Sequence, residues 1–365
     1  MRPLAEYEKL TNDELRARIA AVRAEAGDRL VVMAHYYAPD EVVELADVLG
    51  DSLALAKKAA EASAEAVLFC GVYFMLETAD ILLNRPERIA ARSGRRALTM
   101  APDLTAGCPM ADAISVEQAE NWERELSEVV DFSEFTPITY VNSSAATKAF
   151  CGARGGAVCT SANAERIVRW AFERRPKLLF MPDSRLGRTT ALALGVAPEE
   201  IVVWKPGEPR GGLDVEAIRA ARVVLWDGCC PIHQRFSVDA IRRIRAEEPN
   251  AQVWVHPESP FEVTDAADGH GSTTKLIDVV EKAADGTTLA IGTEWKLVDR
   301  LRRLHPTKKI VWPGDEPSIC ADMSKSTLPR VAWVLENWLA GEPVNVVETP
   351  EELAAPAYEA LRVAL

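Results

Sequence analysis

The stretch C-P-I-H-Q-R-F-S-V, at Cys230–Val238, has a close counterpart earlier in the chain, C-P-M-A-D-A-I-S-V at Cys108–Val116. In both stretches proline follows the cysteine, an apolar residue comes next, and Ser and Val stand seven and eight positions after the cysteine. A weaker third copy, C-A-D-M-S-K-S-T-L, begins at Cys320. A segment that recurs along a chain is typical of a fold built from related units.

The repeat extends upstream of each cysteine. Each third of the chain opens with an apolar run that leads into a polar loop, namely AHYYAPD, YVNSSAA and VHPESP. A second run follows in each third, and a last run leads to the cysteine. We therefore expect three α/β units of about 90 to 120 residues each. The expected domains are an N-terminal helix over 1–27, α/β domains over 28–130, 131–245 and 246–345, and a C-terminal helix over 346–365.

Short apolar runs predict the strands, and the runs between them have helical periodicity. The predicted strands cover residues 29–36, 66–70, 138–141, 177–181, 222–226, 251–256, 288–292 and 308–312. Continuous apolar strands that alternate with helices indicate parallel sheets covered on both faces, which is the α/β class. PDEVVELADVLG is expected to be a helix with Val42, Leu45, Ala46 and Leu49 on one face. Ser115, Ser237 and Thr327 are predicted N-caps of equivalent helices, with Gln118 completing a capping box.

Composition excludes several classes of function. The 365 residues carry a formal charge of −13 and no clustered basic surface, which argues against nucleic-acid binding. The N-terminal sequence lacks the apolar region of a signal peptide, and no apolar run approaches the length of a membrane helix. Seven cysteines, an odd number in a chain this long, do not indicate a disulfide framework. We expect a cytoplasmic protein whose cysteines fill cores or bind metal.

The repeated cysteines are candidate metal ligands. If the three units share an approximate three-fold axis, loops at their strand ends could bring Cys108, Cys230 and Cys320 to one point. Three thiolates suit a [4Fe–4S] cluster with one open iron, a Lewis acid, better than zinc, which usually takes four ligands. Cys229 could replace its neighbour, but the repeat alignment selects Cys230. The alternative for any one thiol is plain burial, which we expect for Cys70, Cys151 and Cys159.

Histidines, tyrosines and a carboxylate follow the predicted strands. His233 could be a base, a partner of the metal ligands or a satisfied loop histidine. His35 with Tyr36 and Tyr37, and His256 with Glu258, each suit proton transfer, whereas core packing and a surface turn are the structural alternatives. Hydroxyls at predicted helix starts suit phosphate or carboxylate, or serve as simple N-caps; these are Ser161, Ser272 and Thr273.

These motifs resemble those of the quinolinate synthase family. The resemblance covers about residues 30–330 and rests on AHYYAPD, GDSLALA, CPMAD, YVNSSA, CTSANA, DGCCPIHQ, VHPES, GSTTK, IGTE and CADMSKSTL. It implies three homologous three-layer αβα domains with parallel sheets around a pseudo-three-fold axis, with one [4Fe–4S] cluster in a central cavity. Cys108, Cys230 and Cys320 would then hold the cluster.

The resemblance also implies a reaction. Iminoaspartate, supplied by L-aspartate oxidase, would condense with dihydroxyacetone phosphate to give quinolinate, phosphate and water for NAD biosynthesis. The implied catalytic residues are Tyr37, Glu258 and His233. The substrate-binding residues would be His35, Ser52, Tyr140, Asn142, Ser161, His256, Glu258, Ser272 and Thr273. The partners would be small molecules only, with no nucleic acid or membrane. Two alternative hypotheses are that the protein is a different [4Fe–4S] hydro-lyase or a non-catalytic, metal-stabilised binding protein.

Overall fold

The computed structural model describes residues 2–365 and confirms the α/β class. Its strands are β1 Leu30–His35, β2 Val48–Gly50, β3 Ala66–Cys70, β4 Leu98–Met100, β5 Phe135–Tyr140, β6 Ala157–Cys159, β7 Lys177–Met181, β8 Ile201–Trp204, β9 Val223–Trp226, β10 Gln252–Val255, β11 Gly269–His270, β12 Thr288–Gly292, β13 Lys309–Val311 and β14 Val346–Val347. Its α-helices are α1 Leu4–Tyr7, α2 Asn12–Ala26, α3 Asp40–Val43, α4 Ser52–Glu61, α5 Tyr73–Leu83, α6 Pro86–Ala91, α7 Val116–Ser127, α8 Ala145–Ala153, α9 Ala164–Phe172, α10 Ser184–Ala193, α11 Val215–Ala220, α12 Val238–Glu247, α13 Phe261–Ala266, α14 Thr273–Lys282, α15 Trp295–Leu304, α16 Leu328–Leu339 and α17 Glu351–Leu361. None of the helices within residues 2–365 has the length and apolar character needed to cross a membrane.

The strands form three sheets that share one topology. Their orders are β2-β1-β3-β4-β14, β6-β5-β7-β9-β8 and β11-β10-β12-β13. When the edge strands β14 and β8 are set aside, each sheet has the order second, first, third, fourth in chain sequence. All pairings are parallel except that of β14 with β4. This shared order is the structural counterpart of the sequence repeat.

The chain divides into two compact units. The first unit combines the chain up to Cys108 with Cys320–Pro350 and contains the first sheet. The second unit combines Pro109–Ile319 with Glu351–Leu365 and contains the other two sheets. The three sheets fall in the three predicted domains apart from β14, but the domain boundaries given above stay a prediction.

The segment after each repeated cysteine folds in the same way. A three-residue 3-10 turn begins three positions after the cysteine, at Ala111, His233 and Met323. An N-cap follows at the seventh position and an α-helix begins at the eighth, giving α7, α12 and α16. The predicted N-caps are confirmed in position, and Ser115 with Gln118 forms the predicted capping box. Thr327 differs because its side chain makes no capping hydrogen bond.

The helix predicted for residues 39–50 is wrong beyond its first turn. Helix α3 ends at Val43, and residues 48–50 form strand β2. Asp47 explains the difference, because its backbone N–H donates to the Val32 carbonyl while its carboxylate accepts from the Val32 N–H. These two hydrogen bonds place Asp47 beside β1, so that residues 48–50 pair with that strand. Leu49, expected on the buried face, is 38 % exposed.

The core of the first unit lies between its sheet and two helices from distant parts of the chain. Leu15, Ile19 and Val22 of α2 are buried in one apolar cluster with residues of α16 and β1. In the second unit α17 packs against α8, where Gly152 permits a very close approach. A Cβ atom at Gly152 would stand 1.8 Å from the Pro356 carbonyl oxygen. The C-terminal helix is therefore an integral part of the second unit.

Candidate active site

Six predicted site residues occupy two equivalent positions in the three sheets. Each first strand of a sheet is followed by a loop in which one side chain lies at the strand end and another lies two residues later; the pairs are His35 and Tyr37, Tyr140 and Asn142, and His256 and Glu258. In every case the N-cap of the next helix stands four residues after the first member, at Pro39, Ser144 and Pro260. Parallel sheets place such loops at their carboxyl edges, where ligands bind.

Glu258 is the centre of the site in the second unit. It is 2 % exposed, and its two carboxylate oxygens have different partners. The Tyr140 hydroxyl donates to Oε1 at 2.6 Å, and His233 Nδ1 lies 2.8 Å from Oε2. The structure thus brings together three predicted residues that are far apart in sequence.

The protonation states of this group follow from its surroundings. Burial by itself raises the pKa of the Glu258 carboxyl, but attraction to His256 and His233, with hydrogen bonds from His233 and Tyr140, outweighs burial and lowers the pKa to about 2. Burial and the Glu258 charge raise the pKa of Tyr140 well above its usual range. At neutral pH Glu258 is therefore an ionised acceptor and Tyr140 a protonated donor. Since a carboxylate only accepts, the proton between His233 and Glu258 sits on Nδ1.

A second histidine packs against this pair. The His256 and His233 rings are stacked with centroids 4.3 Å apart and planes 12° apart. The Glu258 backbone N–H donates to His256 Nδ1 at 3.4 Å. On the far side of His233, Nε2 lies 3.3 Å from the Thr293 hydroxyl, which is fully buried. His233 is therefore fixed from both ring nitrogens.

The equivalent loop of the first unit repeats the local geometry of the Glu258 loop. The Tyr37 N–H donates to His35 Nδ1 at 3.1 Å, as the Glu258 N–H does to His256. The Ala38 N–H donates to the His35 carbonyl, as the Ser259 N–H does to that of His256. Tyr37 and Glu258 thus occupy equivalent places, each held by the histidine two residues before it.

The predicted hydroxyl residues also share a position. Ser52, Ser161 and Ser272 each stand two residues after the second strand of a sheet, which ends at Gly50, Cys159 and His270. Ser161 lies beside the Tyr140 hydroxyl and acts to lower its pKa, against the larger effect of burial. The buried Ser272 caps α14 by accepting from the Lys275 N–H, and Thr273 is the first residue of that helix. The N-capping alternative therefore holds for Ser272, whereas Ser161 belongs to the Tyr140 group.

The cysteines fall into two groups. Cys70, Cys151 and Cys159 are buried, and burial raises the pKa of each thiol, to about 12 for Cys70. Cys108, Cys229, Cys230 and Cys320 are only partly buried. The sulfur of Cys230 lies with ligand atoms of His233 and Glu258 in a group whose members are all within 4.8 Å of one another, a set that could hold a metal ion. In the first unit the Gly107 N–H donates to the Asp322 carboxylate, which links the segments around Cys108 and Cys320.

The chemistry of these donors fits an iron–sulfur cluster. Three part-exposed thiols stand at equivalent positions, one after the last parallel strand of each repeat. Thiolates are the ligands that such clusters require. The fully buried thiols lack equivalents in the other repeats and are core residues.

Two residues near Glu258 were missed as site candidates. Thr293 comes directly after β12 and contacts His233, and Asp183 comes two residues after β7. Asp183 caps α10 through Oδ1, while burial and the Glu258 charge raise the pKa of its carboxyl well above the usual range. Each lies within two residues of the carboxyl end of the third strand of its sheet, and this position at a strand end is the signal that could have found them.

The repeated parallel sheets carry a buried, hydrogen-bonded Glu258–Tyr140–His233 group beside a thiol that could bind a metal, which is an arrangement typical of an α/β enzyme. Comparison with known proteins gives the family. The family model described as Quinolinate synthetase A protein matches residues 17–365. The quinolinate synthase of Rhodopirellula baltica is 46% identical over 354 residues, 96% of this chain and 90% of the relative. That of Acidobacterium capsulatum is 44% identical over 361 residues, 98% of this chain and 94% of the relative. The chain belongs to the quinolinate synthase family.

Proposed function

We propose that the protein condenses iminoaspartate with dihydroxyacetone phosphate to form quinolinate, phosphate and water, in de novo NAD biosynthesis. The observation that carries this proposal is the match to quinolinate synthases over nearly the whole chain. The buried acid/base group supports it, because a dehydrating condensation needs several proton transfers. The same full-length match favours this reaction over another hydro-lyase or a non-catalytic binding protein.

The substrates are small anions, and the residues proposed to bind them are polar and largely buried. His35 and Ser52 come from the first unit, and Tyr140, Asn142, Ser161, His256, Ser272 and Thr273 come from the second. The Oδ1 atom of Asn142 supports this role, since it is buried and has no hydrogen-bond partner within residues 2–365. A buried polar atom costs free energy when it is unpaired, so a bound substrate group would stabilise it.

Proton transfer is assigned to Glu258 and Tyr37. Glu258 is ionised at neutral pH, which is the protonation state that a base needs before it takes a proton from the condensing substrate. His233 shares that carboxylate and orients it. Tyr37, at the equivalent position of the first unit, is a phenol suited to protonate a departing oxygen.

A [4Fe–4S] cluster is the proposed cofactor, and Cys108, Cys230 and Cys320 would hold it. When bound, it supplies a Lewis acid through the iron that has no protein thiolate. The three proposed α/β domains would then be arranged around an approximate three-fold axis. Coupling to L-aspartate oxidase, which would supply the unstable imine, is part of the same proposal.

The direct test is an anaerobic assay. The purified protein should contain about four irons and matching sulfide per chain, as a single [4Fe–4S] cluster requires. Oxaloacetate and ammonia, which form the imine in solution, should give quinolinate when dihydroxyacetone phosphate is added. Iron-replete protein that makes no quinolinate would contradict the proposed function.

The two adjacent cysteines provide a matched pair of variants. We predict that Cys230→Ala loses the cluster, because it removes the repeat-equivalent ligand, whereas Cys229→Ala keeps it. Iron content and the visible absorption of the anaerobic protein measure both outcomes. If Cys229→Ala loses its iron and Cys230→Ala keeps it, then Cys229 and not Cys230 is the cluster ligand.

A further inference from the structure

Glu258 is held at both ends by two neighbouring side chains of one turn. His233 Nδ1 contacts the carboxylate at 2.8 Å, and Gln234 Nε2 donates to the Glu258 backbone carbonyl at 2.9 Å. Both side chains come from the 3-10 turn His233–Arg235. With three residues per turn, consecutive side chains project about 120° apart, so the two can reach different parts of one residue.

The Gln234 contact restrains the Glu258 backbone carbonyl, which the contacts to the carboxylate leave free. Tyr140 and His233 fix the carboxylate, but they do not fix the peptide from which it extends. The loop after β10 turns tightly, with the Ser259 N–H donating to the His256 carbonyl at 3.0 Å. The Gln234 contact holds this loop from outside, and a carboxylate with both its ends held has little freedom to leave Tyr140.

Gln234 is in turn oriented by the start of helix α10. Arg185 Nε donates to Gln234 Oε1 at 3.4 Å, which leaves the amide NH₂ group facing Glu258. Arg185 Nη1 also donates to the Ser184 hydroxyl at 3.1 Å, and the Ser184 N–H donates to the Gly228 carbonyl at 2.9 Å. Arg185 is therefore anchored beside the turn that carries Cys229 and Cys230.

We propose that Gln234 is a positioning residue for Glu258, and that Arg185 acts through the orientation of the Gln234 amide. The inference deepens the proposed function and depends on it for its activity readout. Gln234 itself takes no proton and touches no substrate. Its contribution is the geometry of the base, and small misplacements of catalytic groups cost large factors in rate.

The test replaces Gln234 by residues that lose the donor. Gln234→Met keeps the length of the side chain but makes no hydrogen bond, and Gln234→Glu keeps an acceptor for Arg185 while losing the donor to Glu258. Both should lower kcat by about 10-fold or more while KM stays within about 2-fold, because the base is misplaced and the binding groups are not. Gln252→Met is the matched control, since Gln252 is exposed on β10, the strand that leads to Glu258.

A double-mutant cycle tests the part played by Arg185. If Arg185 acts through Gln234, the loss in kcat for Arg185→Met and Gln234→Met together should not exceed the loss for Gln234→Met alone by more than about 2-fold. Losses that multiply would remove Arg185 from the proposal. A wild-type kcat for both Gln234 variants would overturn the role of Gln234.

A readout without activity separates this inference from the proposed function. Hydrogen exchange of the backbone N–H groups of His256, Glu258 and Ser259 should become faster in Gln234→Met and not in Gln252→Met. Iron content should be the same in all variants. Faster exchange in a protein that makes no quinolinate would leave the positioning role standing and the proposed function refuted. Unchanged exchange and unchanged kcat in an active enzyme would refute the inference alone.

Discussion

Glu258 shows how a buried carboxyl can be kept ionised. Desolvation opposes the charge, yet two histidines and the Tyr140 hydroxyl overcome it. Asp183 has no such partners on Oδ2, and the charge on Glu258 works against a second charge nearby. The surroundings therefore shift the pKa values of the two carboxyls in opposite directions, down for Glu258 and up for Asp183.

We predict that Glu258→Gln lowers kcat about 100-fold or more while it keeps its iron. The amide retains the shape and a hydrogen-bond acceptor for Tyr140, but it cannot take a proton. Steady-state kinetics and iron analysis of the anaerobic protein measure the two effects. Glu262→Gln is the control, because Glu262 is exposed in the next helix. Near-normal turnover by Glu258→Gln would remove this residue from the mechanism.

At the residue scale, the sequence predicted several of the residues that belong to the site but not which of them contact one another. His233, Tyr140 and Glu258 were all predicted as site residues, because each follows a predicted strand or a marked cysteine. The hydrogen bonds among them join residues more than 20 positions apart. Such contacts depend on how one sheet packs on another, which periodicity does not encode. Gln234 was missed because its partner is a backbone carbonyl, which has no sequence signature.

Secondary-structure elements were predicted best where they are long and apolar. Strand β7 was predicted with its observed bounds, Lys177–Met181, and β12 likewise. The short second strands β2, β6 and β11 were missed, since two or three residues carry too little pattern to be separated from a loop or helix. Helix starts were predicted better, because the three helices after the repeated cysteines begin at the same offset from each cysteine.

The three equivalent helix starts allow a comparison of capping. Ser237 accepts a hydrogen bond from the Ala240 N–H, but the Thr327 side chain caps nothing. We predict that Ser237→Ala lowers the free energy of unfolding by about 1 kcal/mol. Thr327→Ala should lower it clearly less. Thermal unfolding of both variants in one buffer gives the comparison, and equal shifts would mean that capping is not the cause.

At the scale of the whole molecule, the first unit is made from two distant segments. The chain leaves this unit after Cys108 and returns to it at Cys320, so two of the proposed cluster ligands stand where the chain passes between units. The sequence did not predict this arrangement, because α16 carries the same repeat signature as α7 and α12. Only its packing against α2 assigns it to the first unit.

We predict that removal of iron makes the two segments that connect the units, near Cys108 and near Cys320, more sensitive to proteases. A cluster held by Cys108 and Cys320 would restrain both segments, and a ligand that binds only the folded state suppresses local opening. Under reducing, anaerobic conditions the chelated protein should be cleaved faster near residues 107–109 and 318–321. Cleavage in the exposed loop 205–210 should not change and serves as the control. Equal rates at all sites would contradict the prediction.

Because the first unit is built from two distant segments, it cannot complete its fold until late in translation. Tyr7 donates to the Glu336 carboxylate at 2.6 Å, and α2 is buried against α16. At ordinary rates of protein synthesis, roughly 10 to 40 seconds separate the emergence of Cys108 from that of Cys320. During that interval the apolar face of the first sheet lacks the helix that covers it. The nascent chain therefore exposes an apolar surface during synthesis. Helix α16, which covers that surface in the folded protein, is one of the last segments to be translated.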